Sequence, residues 1–173
     1  MTEELRNSIR DVPDFPKKGI LFKDITTLLK DPAKFSQSIE LMLTALGKRK
    51  IDIVASIESR GFIFGSVLAY RLNAGFVPIR KPGKLPAKTV SEKYELEYGT
   101  DKIEIHADAI LPGQNILLVD DLLATGGTAL AACRLIEKLG GRIETVMFLI
   151  ELGFLKGRNL LNNYELISII TYN

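Results

Sequence analysis

The residues with the clearest chemical potential are two adjacent carboxylates, Asp120 and Asp121, which follow the apolar run 115–119. A short segment rich in small residues comes soon after them: Ala124, Thr125, Gly126, Gly127 and Thr128. Apolar residues at helical spacing follow, so the pattern predicts a buried strand, a tight turn and the N-terminus of a helix. The first turn of a helix offers unpaired N–H groups and a partial positive charge, which suit a phosphate.

The carboxylates and the turn together favour a sugar phosphate as the ligand. Asp120 and Asp121 would repel a bare phosphate, whereas ribose hydroxyls would donate hydrogen bonds to them. Thr125 and Thr128 could add hydroxyl donors for the phosphate. The competing interpretation is a buried capping aspartate beside a solvated one. A Walker-type nucleotide loop is excluded, because the Gly-Lys-Ser/Thr sequence that it needs is absent from this turn.

A second feature is the concentration of basic residues between positions 80 and 93. Five cations lie there against the single acid Glu92: Arg80, Lys81, Lys84, Lys88 and Lys93. Two prolines and a glycine in the same stretch disfavour regular structure. Such a segment is either a solvated loop or a clamp for a polyanion, and its own residues leave both interpretations open.

The composition of the chain disfavours several classes of protein. Its 173 residues are 46% hydrophobic and 25% charged, which is typical of one globular domain spanning residues 1–173. A net charge of +2 is too weak for general nucleic-acid binding. The sequence lacks a signal-peptide pattern and an apolar stretch of membrane-spanning length, and its one cysteine, Cys133, cannot form an internal disulfide. We therefore expect a cytoplasmic protein that binds neither nucleic acid nor membrane.

The order of predicted elements indicates an α/β fold. Buried-strand patterns cover 51–57, 75–79, 115–120, 143–150 and 164–172, and helical patterns cover 32–46, 62–72 and 129–139. This alternation is typical of a mostly parallel sheet, whose ligands bind beyond the carboxyl ends of the strands. Residues 94–98 and 102–106 alternate like an antiparallel hairpin inserted on that core.

A family resemblance rests first on the run Val119-Asp120-Asp121-Leu122-Leu123-Ala124-Thr125-Gly126-Gly127-Thr128. It resembles the phosphoribosyl-pyrophosphate signature of the type I phosphoribosyltransferases. Four further segments resemble motifs of that family in the same order: Asp14–Pro16 with Gly19–Thr26, Glu58–Phe62, Arg80–Pro86 and Leu96–Gly99. The resemblance implies a mostly parallel central sheet flanked by helices, a small N-terminal hood at residues 1–30 and a flexible β-hairpin catalytic loop at residues 81–105.

The resemblance also implies a reaction. The Leu122-Leu123-Ala124 variant and the hood motif are similar to those of the members that transfer the 5-phosphoribosyl group from phosphoribosyl pyrophosphate to adenine. That glycosyltransferase reaction of purine salvage gives AMP and pyrophosphate, with inversion at C1 of the ribose. The alternative is a transferase for another purine base, such as xanthine or hypoxanthine. A non-catalytic, DNA-binding regulator is a third interpretation, which normally needs an added helix-turn-helix or a strong basic face.

Roles follow from the resemblance residue by residue. Pyrophosphate, the leaving group, is assigned to Ser59, Arg60, Arg80, Lys81 and Lys84. The ribose and its phosphate are assigned to Asp120, Asp121 and the segment 124–128, and the expected catalytic residues are Glu97, Arg60, Asp120 and Asp121. Mg²⁺ is the expected cofactor, held mainly through phosphoribosyl pyrophosphate and water and without a direct protein ligand.

The adenine site is assigned to Leu21, Phe22, Lys23 and Leu152 on the same resemblance. Phe22 is expected to stack on the ring, the backbones of Leu21 and Lys23 to read its edge, and Leu152 to pack on the other side. Glu97 would either protonate adenine N7 or accept a hydrogen bond that orients the base. The family is usually dimeric, so we expect a homodimer whose partners are otherwise small molecules: adenine, phosphoribosyl pyrophosphate, AMP and pyrophosphate.

Overall fold

The structure is a computed structural model that describes residues 2–95 and 99–173. Five α-helices lie in these residues: α1 Thr2–Asn7, α2 Thr26–Leu29, α3 Pro32–Leu46, α4 Gly61–Leu72 and α5 Gly127–Lys138. Two short 3₁₀ helices, Gly153–Leu155 and Gly157–Leu161, lie near the C-terminus. None of the helices in the described ranges is both long and apolar enough to span a membrane.

The same residues form nine strands, which belong to three sheets. The strands are β1 Arg10–Pro13, β2 Leu21–Asp24, β3 Ile53–Ile57, β4 Gly75–Ile79, β5 Thr89–Glu95, β6 Thr100–His106, β7 Asn115–Leu123, β8 Arg142–Leu152 and β9 Leu166–Tyr172. The central sheet has the order β4–β3–β7–β8–β9, and each neighbouring pair in it is parallel. The predicted α/β fold with a mostly parallel sheet is confirmed.

Successive side chains of each strand point to opposite faces of the central sheet. Because the strands are apolar on both faces, helices cover both of them. On one face, Leu118 of β7 belongs to a buried apolar cluster with Cys133 and Ile136 of α5. On the other face, Leu117 belongs to a second cluster with Met42 of α3 and Phe64 of α4. Cys133 is fully buried in the first cluster. Because the helices cover the two faces, the ends of the strands stay open.

Strand β7 is longer than its sequence pattern predicts. The prediction ended the strand at Asp120, but Leu122 and Leu123 continue it and pair with Ile150 and Glu151 of β8. The pairing with β3 on the other side stops at Val119. The two carboxylates therefore lie inside a strand, beyond the last residue of β7 that pairs with β3. The eleven-residue β8 explains the difference, since it offers partners beyond the apolar run.

The hairpin of β5 and β6 is antiparallel, as predicted, but β5 begins at Thr89, five residues before the predicted strand, because residues 89–93 pair with the end of β6. The base of the hairpin is packed into the protein. Ile103 and Ile105 of β6 are almost fully buried in the same cluster as α5. Glu92 of β5 forms ion pairs with Arg134 and Lys138 of α5. The hairpin is thus tied to the helix that follows the glycine-rich turn. Glu97, the predicted loop acid, lies outside the described residues.

Truncating a buried side chain at the base of the hairpin should destabilise the whole fold. We expect Ile105→Ala to lower the free energy of unfolding by about 2–5 kcal/mol, because it removes apolar contacts and leaves a cavity. Urea unfolding followed by circular dichroism measures this change. Leu111→Ala is the control, since Leu111 is 65% exposed, and its effect should stay within about 0.5 kcal/mol. Equal effects of the two substitutions would contradict the packed hairpin base.

Candidate active site

A cavity of about 350 Å³ opens where β3 and β7 end, beside the base of the hairpin. Its walls come from the turn after β3, the carboxylates of β7, the start of α5 and the hairpin: Ile57, Glu58, Ser59, Arg60, Lys81, Tyr94, Ile103, Asp120, Asp121, Leu122 and Thr128. Six of these are predicted site residues. The parallel sheet thus brings together side chains that are separated by about seventy positions in the chain, as expected for a site at strand ends.

The two carboxylates have different partners. Asp121 is almost fully buried, and its Oδ2 lies 2.8 Å from Nε of Arg60 at the start of α4. Asp120 accepts a hydrogen bond at Oδ1 from the backbone N–H of Asp121 at 2.9 Å. Gly61 leaves room for Asp120, because a Cβ at that position would lie 2.8 Å from Asp120 Oδ1. The glycine that opens α4 is therefore required for this arrangement.

Burial changes the ionisation of this pair. The pKa of Asp120 lies well above its usual value because the group is desolvated and because the charge of Asp121 is adjacent. Burial also raises the pKa of Asp121, although Arg60 opposes that shift. Two carboxylates that ionise reluctantly favour a ligand that donates hydrogen bonds or carries positive charge, which fits ribose hydroxyls and a cationic sugar carbon.

The glycine-rich turn forms a separate small cavity beside the carboxylates. It has a volume of about 90 Å³ and is lined by Asp120, Phe148 and the residues 122–129. Gly126 adopts a φ of +88° immediately before α5, a conformation that favours glycine. The first turn of α5 then presents backbone N–H groups at this cavity, as the sequence predicted for a phosphate site.

The turn is supported from behind by the second 3₁₀ helix. A Cβ on Gly126 would lie 2.6 Å from the carbonyl oxygen of Gly157, and a Cβ on Gly157 would lie 2.1 Å from that of Ala124. Arg158 then anchors the segment through two hydrogen bonds to Glu151, at 3.0 and 2.6 Å. Sequence reasoning missed this contact, and a lone Gly157 gives little signal for it.

The four basic side chains predicted for pyrophosphate are all paired with carboxylates. Besides the Arg60–Asp121 pair, Glu58 binds Arg80 Nε at 2.8 Å and Lys84 Nζ at 2.5 Å. Lys81 Nζ lies 2.9 Å from Asp101 of β6, a hydrogen bond that raises the pKa of Lys81. Arg60 and Lys81 line the cavity, and Glu58 holds Arg80 and Lys84 beside it, which fits the clamp interpretation of the basic segment, although the side chains of Lys81 and Lys84 are about half exposed.

A second, mostly apolar cavity of about 420 Å³ lies under the N-terminal strands. It is lined by Val12, Phe15, Phe22, Asp24, Thr26 and Arg60. Phe15 meets Phe22 edge to face with ring centroids 5.1 Å apart, and the Arg60 guanidinium lies 5.1 Å from the centroid of Phe22. Arg60 therefore borders both cavities. Phe15 belongs to the hood motif, but the sequence did not predict that its side chain lines this cavity.

The other three predicted adenine residues have different surroundings. Leu21 is exposed, and Leu152 is partly buried against the cluster that contains Phe64. The Lys23 side chain is buried, with Nζ 2.6 Å from Asp11 and 4.0 Å from the ring centroid of Tyr172. The Lys23 ammonium thus anchors the hood.

Comparisons with known proteins agree with this geometry. A family model for the phosphoribosyl transferase domain matches residues 24–159. An adenine phosphoribosyltransferase of Thermoanaerobacter sp. (strain X514) is 59% identical over 170 residues, which cover 98% of each chain. The crystal structure of adenine phosphoribosyltransferase from Thermoanaerobacter pseudethanolicus has a TM-score of 0.97 at 58% identity, covering 99% of this chain and 100% of that chain. The Saccharomyces cerevisiae enzyme, complexed with D-2,5-dideoxy-2,5-imino-altritol 1,6-bisphosphate and adenine, has a TM-score of 0.92 at 42% identity, covering 97% of each chain.

The raised pKa of Asp120 predicts that Asp120→Asn stabilises the protein at neutral pH. The folded-state pKa lies above the unfolded value of about 3.9, so the stability from this group is complete below that pH and is lost as the pH rises through the folded-state pKa. Asparagine cannot ionise, and we expect its Tm to exceed that of the wild type by about 2–4 °C at neutral pH. Thermal melts from acid to neutral pH test this.

Asp52→Asn provides a control of opposite sign. Asp52 precedes β3 at the far end of the sheet, and its pKa is lowered by the hydrogen bond that it accepts from the Asn115 backbone N–H. That carboxylate contributes stability above its unfolded pKa, so its replacement should lower Tm at neutral pH. Identical pH profiles of Tm for wild type and Asp120→Asn would contradict the raised pKa of Asp120.

Proposed function

The chain belongs to the phosphoribosyltransferase family and, within it, to the adenine phosphoribosyltransferases, and on that premise we propose that its site converts adenine and phosphoribosyl pyrophosphate to AMP and pyrophosphate. The observation that carries the proposal is the meeting of two cavities at Arg60. One is ringed by carboxylates and cations, and the other is apolar and lined by Phe15 and Phe22. A phosphorylated sugar fits the first cavity, and a flat base fits the second.

The sugar half of the substrate is held by groups of matching chemistry. The amides of the first turn of α5 and the hydroxyls of Thr125 and Thr128 receive the 5-phosphate. Asp120 and Asp121 accept hydrogen bonds from the ribose hydroxyls, which fixes the sugar relative to the strand end. This placement leaves C1 directed toward the junction at Arg60, where the base and the leaving group must both lie.

The chemical step breaks the bond from C1 to the pyrophosphate oxygen while a ring nitrogen of adenine forms a bond to C1 from the opposite face. The ring N–H proton that adenine loses passes to Glu97, the candidate acceptor from the resemblance, or to water. Positive charge develops on the sugar, and negative charge develops on the leaving group. Asp120 and Asp121 stabilise the former, while Arg60, Arg80, Lys81 and Lys84 stabilise the latter. Because these cations are paired with carboxylates, they are held in place before the polyanion binds.

The base is selected by the apolar cavity and by the hood backbone. Phe22 offers a ring face, and the backbones of Leu21 and Lys23 read the edge of adenine. Buried backbone groups that match an amino group reject an oxo group in its place, because the mismatch leaves polar groups unpaired. Leu152 as the opposite wall, and Glu97 as the group that handles the proton at N7, remain predictions from the resemblance.

The donor set of the site fits a Mg²⁺ ion that is held mainly by the substrate. Asp120 and Asp121 are oxygen donors of the kind that Mg²⁺ prefers, but Asp121 already pairs with Arg60 and both carboxyls have raised pKa values. Within residues 2–95 and 99–173, no group of three or more His, Cys, Asp and Glu side chains is arranged to hold a metal. When bound, the ion would neutralise negative charge on the pyrophosphate. The homodimer, the cytoplasmic location and the role in purine salvage stay predictions.

Base selectivity is the direct test of the proposed function. We expect pyrophosphate release from phosphoribosyl pyrophosphate and Mg²⁺ when adenine is supplied, and release at least about 10⁴-fold slower with hypoxanthine or xanthine. A coupled pyrophosphate assay with each purine in turn measures the rates, and the reaction without a base gives the background. Turnover of hypoxanthine or xanthine without turnover of adenine would overturn the assignment.

Removing the charge of Asp121 should impair turnover and spare the fold. We expect Asp121→Asn to lower kcat/KM by about 10²-fold or more, because the variant loses a carboxylate beside the cationic sugar carbon. Steady-state kinetics measure the loss, and circular dichroism reports on the fold. Asp52→Asn, the same change at the opposite end of the sheet, should keep kcat/KM close to that of the wild type. Unchanged turnover in Asp121→Asn would remove this carboxylate from the mechanism.

A further inference from the structure

Glu58 has no assigned contact with a substrate, yet donors from the basic segment converge on its carboxylate. Oε2 lies 2.8 Å from Arg80 Nε, and Oε1 lies 2.5 Å from Lys84 Nζ. The backbone N–H of Lys81 also donates to it. One carboxylate thus contacts three of the five positions between 80 and 84, and two of the contacts are to cations that the proposed reaction uses.

The carboxylate is the fixed member of this cluster. The Glu58 side chain is only 9% exposed, whereas that of Lys84 is 48% exposed. The backbone N–H of Glu58 donates to the carbonyl oxygen of Ile79 at 2.9 Å, which ties the turn after β3 to the end of β4. Arg80 follows β4 directly, so its side chain reaches Glu58 from the neighbouring strand. The long side chains of Arg80 and Lys84 are thus held by Glu58, whose backbone is fixed by its hydrogen bond to the end of β4.

Glu58 is charged in this environment. Burial raises the pKa of its carboxyl, but hydrogen bonds from Lys84, Arg80 and the Lys81 backbone outweigh burial and leave the pKa below its usual value. A buried carboxylate in this state is tolerated only because its donors stay in place. It therefore keeps both cations ordered before any ligand arrives.

We propose that Glu58 is a positioning residue that holds Arg80 and Lys84 in the geometry in which they bind pyrophosphate. Arg80 uses Nε for Glu58 and Nη1 for the carbonyl oxygen of Lys84 at 3.3 Å, which leaves its remaining Nη N–H groups for the ligand. The Lys84 ammonium has two further N–H donors. Both cations can therefore bind Glu58 and a phosphate oxygen together. The inference rests on the proposed function, and it adds a residue whose contribution is to order the two cations in advance.

Two simple expectations for Glu58→Gln have opposite signs, which makes the variant informative. If Glu58 only repelled the polyanion or competed for its cations, removal of its charge would tighten binding of phosphoribosyl pyrophosphate. If Glu58 positions the cations, binding weakens, although a negative charge has been removed beside an anionic ligand. We expect KM for phosphoribosyl pyrophosphate to rise about tenfold and KM for adenine to change less than about twofold.

Glu104→Gln is the matched control. Glu104 is a buried carboxylate that accepts a hydrogen bond from Gly83 N at 3.3 Å and pairs with Lys102, so it anchors the same segment. The substitution makes the same change in charge close to the same cavity. If Glu58 acts through Arg80 and Lys84, Glu104→Gln should leave KM for phosphoribosyl pyrophosphate within about twofold of the wild type. An equal rise in both variants would show a general loosening of the segment and would overturn the proposal.

A double-mutant cycle tests whether Glu58 acts through Lys84. In a Lys84→Ala background, Glu58→Gln should raise KM for phosphoribosyl pyrophosphate by a smaller factor than in the wild type, because one of its two targets is gone. Strictly additive effects would overturn the proposed route. Glu58→Asp retains the charge, shortens the side chain by one methylene and serves if Glu58→Gln fails to fold. A similar rise in KM supports positioning, and an unchanged KM overturns it.

The outcomes also separate this inference from the proposed function. A wild-type protein without activity on adenine would overturn the function. An active wild type with an unchanged or lower KM for phosphoribosyl pyrophosphate in Glu58→Gln would overturn only the role of Glu58. Competition by inorganic pyrophosphate gives an independent readout, and its inhibition constant should rise in Glu58→Gln by the same factor as KM.

Discussion

The interaction on which the site depends most is the pairing of opposite charges around the polar cavity at the ends of β3 and β7. The Arg60 guanidinium pairs with Asp121, Arg80 and Lys84 pair with Glu58, and Lys81 pairs with Asp101. Partly buried cations without partners would destabilise the folded chain. The pairs meet that requirement and also link the ends of β3, β4 and β7 to the hairpin. Cations assembled to bind a polyanion are thus compatible with a stable protein in the absence of that polyanion.

Arg60 has a particular place in this arrangement because it borders two different environments. Its Nε faces Asp121 in the polar cavity, while its guanidinium lies 5.1 Å from the ring centroid of Phe22 in the apolar one. A cation over an aromatic ring gains from the negative face of the ring. In the proposed function, a base stacked on Phe22 would compete with Arg60 for that face, and binding in one cavity would then alter the electrostatics of the other. The single side chain couples the two halves of the substrate site.

The sequence alone predicts those features that local patterns determine. An apolar run followed by carboxylates and glycines indicates a strand, a turn and a helix, and the structure has all three. The pattern could not show that Leu122 and Leu123 extend the strand, because their partners belong to β8 and lie almost thirty positions away. It also did not show the contacts of Glu58, because Arg80 and Lys84 reach this residue only through the pairing of β3 with β4. The spacing of apolar residues along the chain does not show which strands become neighbours in the fold. The sequence therefore failed to indicate residues that support the site, such as Gly157, more often than residues that line it.

The contact between Gly126 and Gly157 bears on how far the phosphate motif can be treated as an independent unit. Its loop has the observed shape while the backbone of a segment thirty residues downstream lies against it without any intervening side chain. If residues 119–128 were transplanted into another parallel sheet, the loop would lack the backbone at Gly157 that packs against it in this protein. An engineered or recombined protein needs both pieces, and the natural module is a strand, a helix, the next strand and the 3₁₀ turn after it. The portable unit is larger than the sequence signature by which it is recognised.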